Sequence, residues 1–156
     1  MIATGDTVPV VPVSDEVGDH RPLTAYLDRP TVVVFFKRSC ETSRLALPVF
    51  EQWSALVPEV GLLGVSQDTS SETAEFFEEM GIEMPIAFDR EPYPASAAFD
   101  IDAVPAWFLL QDGEISWSWA GWNAEKAAEL TAILGETAGT DIALDDLDAL
   151  PAFRPG

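Results

Sequence analysis

A chain of 156 residues that is 47% hydrophobic is long enough to bury a core of its own as one domain and too apolar to be disordered. Twenty-seven acids against eight bases give a formal charge of −19, which disfavours nucleic-acid phosphates and anionic membranes as partners and suits a solubilising surface. No apolar run approaches the length of a membrane span, and a single cysteine excludes an internal disulfide while suiting either redox compartment. The opening Met1-Ile2-Ala3-Thr4-Gly5-Asp6 has neither a basic region nor an apolar run, so no secretory signal is expected in this chain. That slightly favours a cytoplasmic address, with an exported mature form as the alternative.

Val8-Pro9-Val10-Val11-Pro12-Val13 predicts an edge strand or extended arm, because its prolines withhold ladder donors. The polar run from Asp15 to Pro22 predicts a turn. It holds His20, the only histidine, which has no neighbouring ligand for a metal and is expected on the surface. Leu23 to Leu27 reads as one helical turn. Residues 31–36, β-branched and aromatic throughout, read as a buried strand. A helix is expected from Cys40 to about Val57, with Leu45, Leu47, Val49, Phe50, Trp53 and Leu56 at helical spacing and Pro48 kinking it.

Residues 61–66 predict the next buried strand. Ser70 or Ser71 is the expected cap of a helix over about 71–80, closed by Gly81. Pro85 to Phe88 reads as a short strand and Ala95 to Phe99 as a small helix. Asp112-Gly113 between apolar stretches predicts a hairpin, and Ile115, Trp117 and Trp119 alternate with serines as on a half-buried strand. Asn123 caps a last helix to about Leu134. Residues 135–156 carry Glu136, Asp141, Asp145, Asp146 and Asp148 and read as an acidic tail pinned by Leu144, Leu147, Leu150 and Phe153. The expectation is one domain over 1–156, with its core at about 5–134.

Alternating strands and helices followed by an antiparallel pair predict an α/β sandwich with a mixed sheet. Ligands of such sheets gather at the carboxyl ends of the parallel strands, where Cys40 falls. A lone cysteine is ordinarily a small buried hydrophobe. At a helix start, however, a thiol meets unpaired amides and the positive end of the helix dipole, which favour the attacking thiolate.

Five features together resemble the thioredoxin superfamily, and within it the TlpA-like redoxins of the AhpC/TSA type. Gly5-Asp6 with Pro9 is similar to the family's opening. A strand runs directly into Cys40 and a helix. Pro48 is similar to the kink proline of the active-site helix. Val104-Pro105 before an apolar strand looks like the cis-proline. The helix and strand over 71–88 resemble the TlpA-like insert and lengthen the interval from Cys40 to Pro105. The resemblance covers about residues 5–134 and implies a three-layer thioredoxin-like sandwich. The departures are specific: where the family has Cys-X-X-Cys, this chain reads Cys40-Glu41-Thr42-Ser43, with Ser39 in place of the usual aromatic and Val34 where some thioredoxins carry a buried acid.

The resemblance implies a thiol–disulfide oxidoreductase in which Cys40 attacks a disulfide and forms a mixed disulfide with a protein or low-molecular-weight thiol. Ser43 cannot resolve it, but one turn away it can hydrogen-bond the thiolate. Lys37 and Arg38 favour the thiolate if they face the sulfur; Glu41 opposes it, and Thr42 completes the flanking set. Glu41 reads equally well as an ordinary first-turn acid. A cis Pro105 would set the Val104 backbone beside Cys40 to pair with an extended substrate. Trp122 after Gly121 is a core residue by pattern, or else lines the site.

Two alternatives stand beside this reading. One is a thioredoxin-fold binding module that has lost turnover. The other is the Cys-to-Ser form of a Cys-X-X-Cys redoxin, since serine is the replacement used to trap mixed disulfides. A one-cysteine peroxidase fits poorly, because the proline and threonine that peroxiredoxins place seven and three residues before the cysteine are Val33 and Lys37 here. No cofactor is implied: there is no glycine-rich phosphate loop and no His/Cys cluster for a metal.

Overall fold

The computed structural model describes residues Met1–Gly156. Its centre is strand β3, Thr31–Phe36, every residue of which is buried. Side chains alternate across a strand. Val32, Val34 and Phe36 therefore enter one core layer while Val33 and Phe35 enter the other. A strand apolar on both faces needs cover on both, which is why it reads as an unbroken hydrophobic run.

Seven strands form one sheet in the order β2-β1-β5-β4-β3-β6-β7. β1 (Pro12–Ser14) and β2 (His20–Pro22) are an antiparallel edge hairpin, β4 spans Gly61–Ser66 and β5 Ile86–Phe88. β3, β4 and β5 run parallel, and β6 (Ala106–Gln111) and β7 (Glu114–Ala120) add the antiparallel side. The chain turns between β6 and β7 at Asp112 and Gly113, both at positive φ (54° and 78°), as an Asp-Gly hairpin requires. The sheet is the mixed, helix-flanked sandwich expected of a thioredoxin-like fold.

Helix α1 spans Glu41–Leu56 and continues through Pro48 as one element; α4 spans Ala124–Ala138. Their apolar faces pack with Trp107 and Trp117 on one side of the sheet. Phe50, Trp53, Trp107, Trp117 and Trp122 form an aromatic stack there, with Phe50 and Trp107 ring centres 4.6 Å apart. Indole N–H groups buried in such a stack need acceptors. Trp53 donates to Thr131 Oγ1 at 2.9 Å, Trp107 to the Gly121 carbonyl at 2.9 Å and Trp122 to the Pro151 carbonyl at 2.7 Å. Trp122 is thus a core residue and does not line the site. Trp119 is only half-buried, with the Lys126 ammonium over its ring. The short α3, Pro94–Ala98, packs on the opposite face with Phe99 and the N-terminal arm.

Several expectations are corrected. Helix α2, Ser70–Met80, is capped by Thr69 rather than Ser70 or Ser71; Thr69 and Glu72 form a reciprocal capping box. α4 runs four residues past Leu134 to a Gly139 cap in the left-handed conformation. His20 lies in a strand, although it is exposed as expected. The segment after α4 is more than a tail. Ile142, Leu144, Leu147 and Leu150 pack on the core, while Phe153 stays 59% exposed and pins nothing. Its end, Phe153–Arg154, is a further strand, β9, paired with β8 (Trp122–Asn123).

Candidate active site

Cys40 is the N-cap of α1, where β3 hands the chain to the helix. It is partly buried, at the carboxyl ends of the parallel strands. The thiol donates to the Val104 carbonyl at 3.2 Å, and Sγ accepts the Ser43 amide at 3.5 Å. The Val104–Pro105 peptide is cis. Val104 is buried, and its amide donates to no other group of the protein. The structure places Ser43 and the Val104–Pro105 peptide beside Cys40.

The loop before Cys40 is braced from two sides. The Asp68 carboxylate accepts the Arg38 amide at 2.7 Å, and Arg44 Nε donates to the Arg38 carbonyl at 3.0 Å. Of the flanking charges, Arg38 and Glu41 are engaged by partners and Lys37 is left at the cavity. Arg38 turns away from the sulfur onto α2, where its guanidinium meets Glu72 and Glu75, each at 3.4 Å. The Glu72 carboxyl is held below its ordinary range chiefly by hydrogen bonds from the Thr69 hydroxyl and amide, with Arg38 a smaller cause. Glu41 faces Arg154 at 2.6 Å. Lys37 stays exposed and lines the Cys40 cavity.

Ser43 and Thr42 are buried to different ends. Thr42 Oγ1 donates to the Pro155 carbonyl at 2.6 Å. Ser43 Oγ is fully buried and has no hydrogen-bond partner. The serine therefore meets the sulfur through its amide, not through the hydroxyl expected from the sequence.

The cavity at Cys40 holds about 200 Å³ and is bounded by Lys37, Gln67, Asp102, Val104 and Gly156 among others. Gln67, Asp102 and Gly156 were not anticipated. Gln67 is the first residue after β4, so the carboxyl-end rule that located Cys40 also applied to it. Its carboxamide donates to Ser96 Oγ at 2.8 Å, and Ser96 in turn donates to buried Asp89 at 2.6 Å. Nothing local marked Gly156. No group of three or more histidine, cysteine or acidic side chains is arranged to hold a metal.

The AhpC/TSA family model matches residues 4–118, from the N-terminal arm through the hairpin. The chain belongs to the AhpC/TSA family. This redoxin of the thioredoxin superfamily has no match among curated proteins. Its fold is similar to that of a thiol:disulfide interchange protein DsbE from Chlorobium tepidum, at TM-score 0.75 and 18% identity, over 88% of this chain and 99% of that one. The thioredoxin domain of a thiol-disulfide oxidoreductase from Bacteroides vulgatus gives 0.74 and 17%, over 88% and 99%. Peroxidoxin BcpB from Mycobacterium tuberculosis gives 0.70 and 19%, over 88% and 98%.

Proposed function

We propose that this redoxin is a thiol–disulfide oxidoreductase that works through Cys40 alone. The observation that carries the reading is the placement of Sγ, at the N-terminus of α1, 3.2 Å from the Val104 carbonyl and open to a cavity of about 200 Å³. A helix N-terminus stabilises negative charge. The Val104 amide has no internal partner, and is the donor that extended backbone beside a substrate cysteine would pair with once it reaches the groove, in the manner of strand addition.

The Cys40 thiolate attacks one sulfur of a disulfide. A bond forms from Sγ to that sulfur, the original S–S bond breaks, and the other sulfur leaves as a thiolate. The product is a mixed disulfide with a protein or a small thiol. Ser43 cannot attack it, so a second thiol from solution or from the substrate releases Cys40 and becomes half of a new disulfide. This suits disulfide isomerisation or removal of small-thiol adducts, and does not suit net dithiol reduction. Peroxide reduction lacks the proline and threonine of a peroxidase site, whose places are held by Val33 and Lys37.

Intact-mass measurement after exposure to glutathione disulfide tests this. One glutathionyl adduct on Cys40 in the folded protein, absent in Cys40→Ser and removed by a second thiol, is the expected result. A cysteine that reacts only after unfolding would overturn it in favour of a binding module.

One observation favours the second reading, a serine form of a Cys-X-X-Cys redoxin. Ser43 Oγ is buried without a partner. A buried hydroxyl left unsatisfied costs about 1–3 kcal/mol, whereas a thiol, a weak hydrogen-bonder, tolerates such a place.

A further inference from the structure

We propose that the segment Phe153–Gly156 is a displaceable strap across the Cys40 groove, one that admits small disulfides and holds off extended protein disulfides. The inference rests on Cys40 being the nucleophile proposed above.

Three contacts put the strap where a substrate backbone would lie. Arg154 pairs with Glu41 at 2.6 Å, the Pro155 carbonyl accepts the Thr42 hydroxyl at 2.6 Å, and Gly156 borders the Cys40 cavity. All three partners belong to the site: two are the residues directly after the nucleophile, and the third is the wall shared with Val104. The fit is close. A Cβ on Gly156 would stand 2.5 Å from the Val104 carbonyl oxygen. Gly121, at φ +77°, lets the strap pass, since a Cβ there would meet the Arg154 carbonyl oxygen at 2.9 Å and the Gly156 nitrogen at 3.1 Å.

The hold is polar. Phe153 is largely exposed and β9 has only two residues. Segments with few buried apolar contacts open at low free-energy cost. The upstream stitches, Trp122 to the Pro151 carbonyl and the Ala124 amide to the Ala152 carbonyl at 2.9 Å, anchor the base of the strap and need not break for it to lift. With the strap down, a reagent small enough for the cavity reaches the sulfur. An extended chain seeking Thr42 and Val104 finds them covered and the Glu41 carboxylate already paired, and its apparent rate is scaled by the fraction of molecules with the strap raised.

The test compares the intact protein, a chain ending at Ala152, and Arg154→Ala. Each is reacted with bis(2-hydroxyethyl) disulfide and with a ten-residue peptide whose one cysteine carries a thionitrobenzoate leaving group. Mixed-disulfide formation at Cys40 is followed by intact mass. Ending the chain at Ala152 should raise the peptide rate by about tenfold or more, equivalent to about 1.4 kcal/mol. The small-disulfide rate should change by less than about threefold. Arg154→Ala, which removes one exposed ion pair, should raise the peptide rate by about two- to fivefold. Equal changes for both reagents, or an unchanged peptide rate in Arg154→Ala, would overturn the strap while leaving Cys40 as the nucleophile. No adduct from either reagent in any of the three chains would overturn both readings.

Discussion

Asp68 and Arg38 join the ends of two parallel strands: the carboxylate, two residues beyond β4, accepts the amide two residues beyond β3 at 2.7 Å. The loop that delivers Cys40 is therefore tied to the neighbouring strand as well as to its own helix, which holds the Arg38 carbonyl through Arg44. Hydrogen bonds to charged groups contribute about 1.5–3 kcal/mol. Asp68→Ala is expected to lower stability by about 1–2 kcal/mol in urea unfolding, after discount for partial exposure. It should also slow adduct formation at Cys40. Asp68→Asn, which keeps an acceptor oxygen, should recover most of both. Equal losses in the two variants would mean that the contact does not position the loop.

Ser43 separates packing from chemistry. Ser43→Ala removes a buried hydroxyl that has no partner, so it should be neutral or stabilise the fold by up to about 1 kcal/mol. Ser43→Cys should place a resolving thiol one turn from Cys40 and confer reduction of insulin disulfides. A destabilised Ser43→Ala protein would show that the hydroxyl has a partner after all. A Ser43→Cys protein that cannot turn over would show that the site is not built for exchange.

Thr131 holds the aromatic stack together from α4. It accepts the Trp53 indole N–H at 2.9 Å and donates to the Ala127 carbonyl at 2.7 Å. Thr131→Val keeps the shape and strands the indole donor, so a loss of about 1–3 kcal/mol is expected by urea unfolding. No change would mean that the indole finds another acceptor.

The acid limb of stability has an identifiable contributor. The Glu129 carboxyl is held below its ordinary value of 4.5 first by the Lys126 ammonium and then by the Trp117 indole N–H. A carboxyl depressed in the folded state adds stability that is fully present above its unfolded value and is lost as pH falls through its folded value. Glu129→Gln should therefore be less stable than the parent at neutral pH, with the difference shrinking below pH 4.5. Urea midpoints across that range test the sign, and a gap that persists into acid would contradict it.

What the sequence revealed, and what it did not, follows from the range of the interactions. β3, α1 and the β6–β7 hairpin are written in local pattern: an unbroken apolar run, helical spacing and an Asp-Gly turn. Cys40 and Val104 could be paired because the fold resemblance supplied the long-range step. The direction of Arg38 could not be read, since the acids that take it lie more than thirty residues away on α2. The Thr69 cap was legible in the Thr-X-X-Glu spacing, but two adjacent serines competed with it. β8 and β9, two residues each, have no periodicity to detect, so the return of the chain end to the active site was invisible.

The acid excess bears on how reagents arrive at Cys40. Arg38 and Arg44 are taken up by acids of α2, and Lys37 is the exposed cation left at the cavity. A diffusing anion therefore meets a repulsive field over most of its approach before it feels Lys37. Added salt shortens the reach of that field, to about 8 Å at physiological ionic strength. Encounter with glutathione disulfide should accordingly quicken as salt is raised, encounter with the dication cystamine should slow, and neutral bis(2-hydroxyethyl) disulfide should keep its pace.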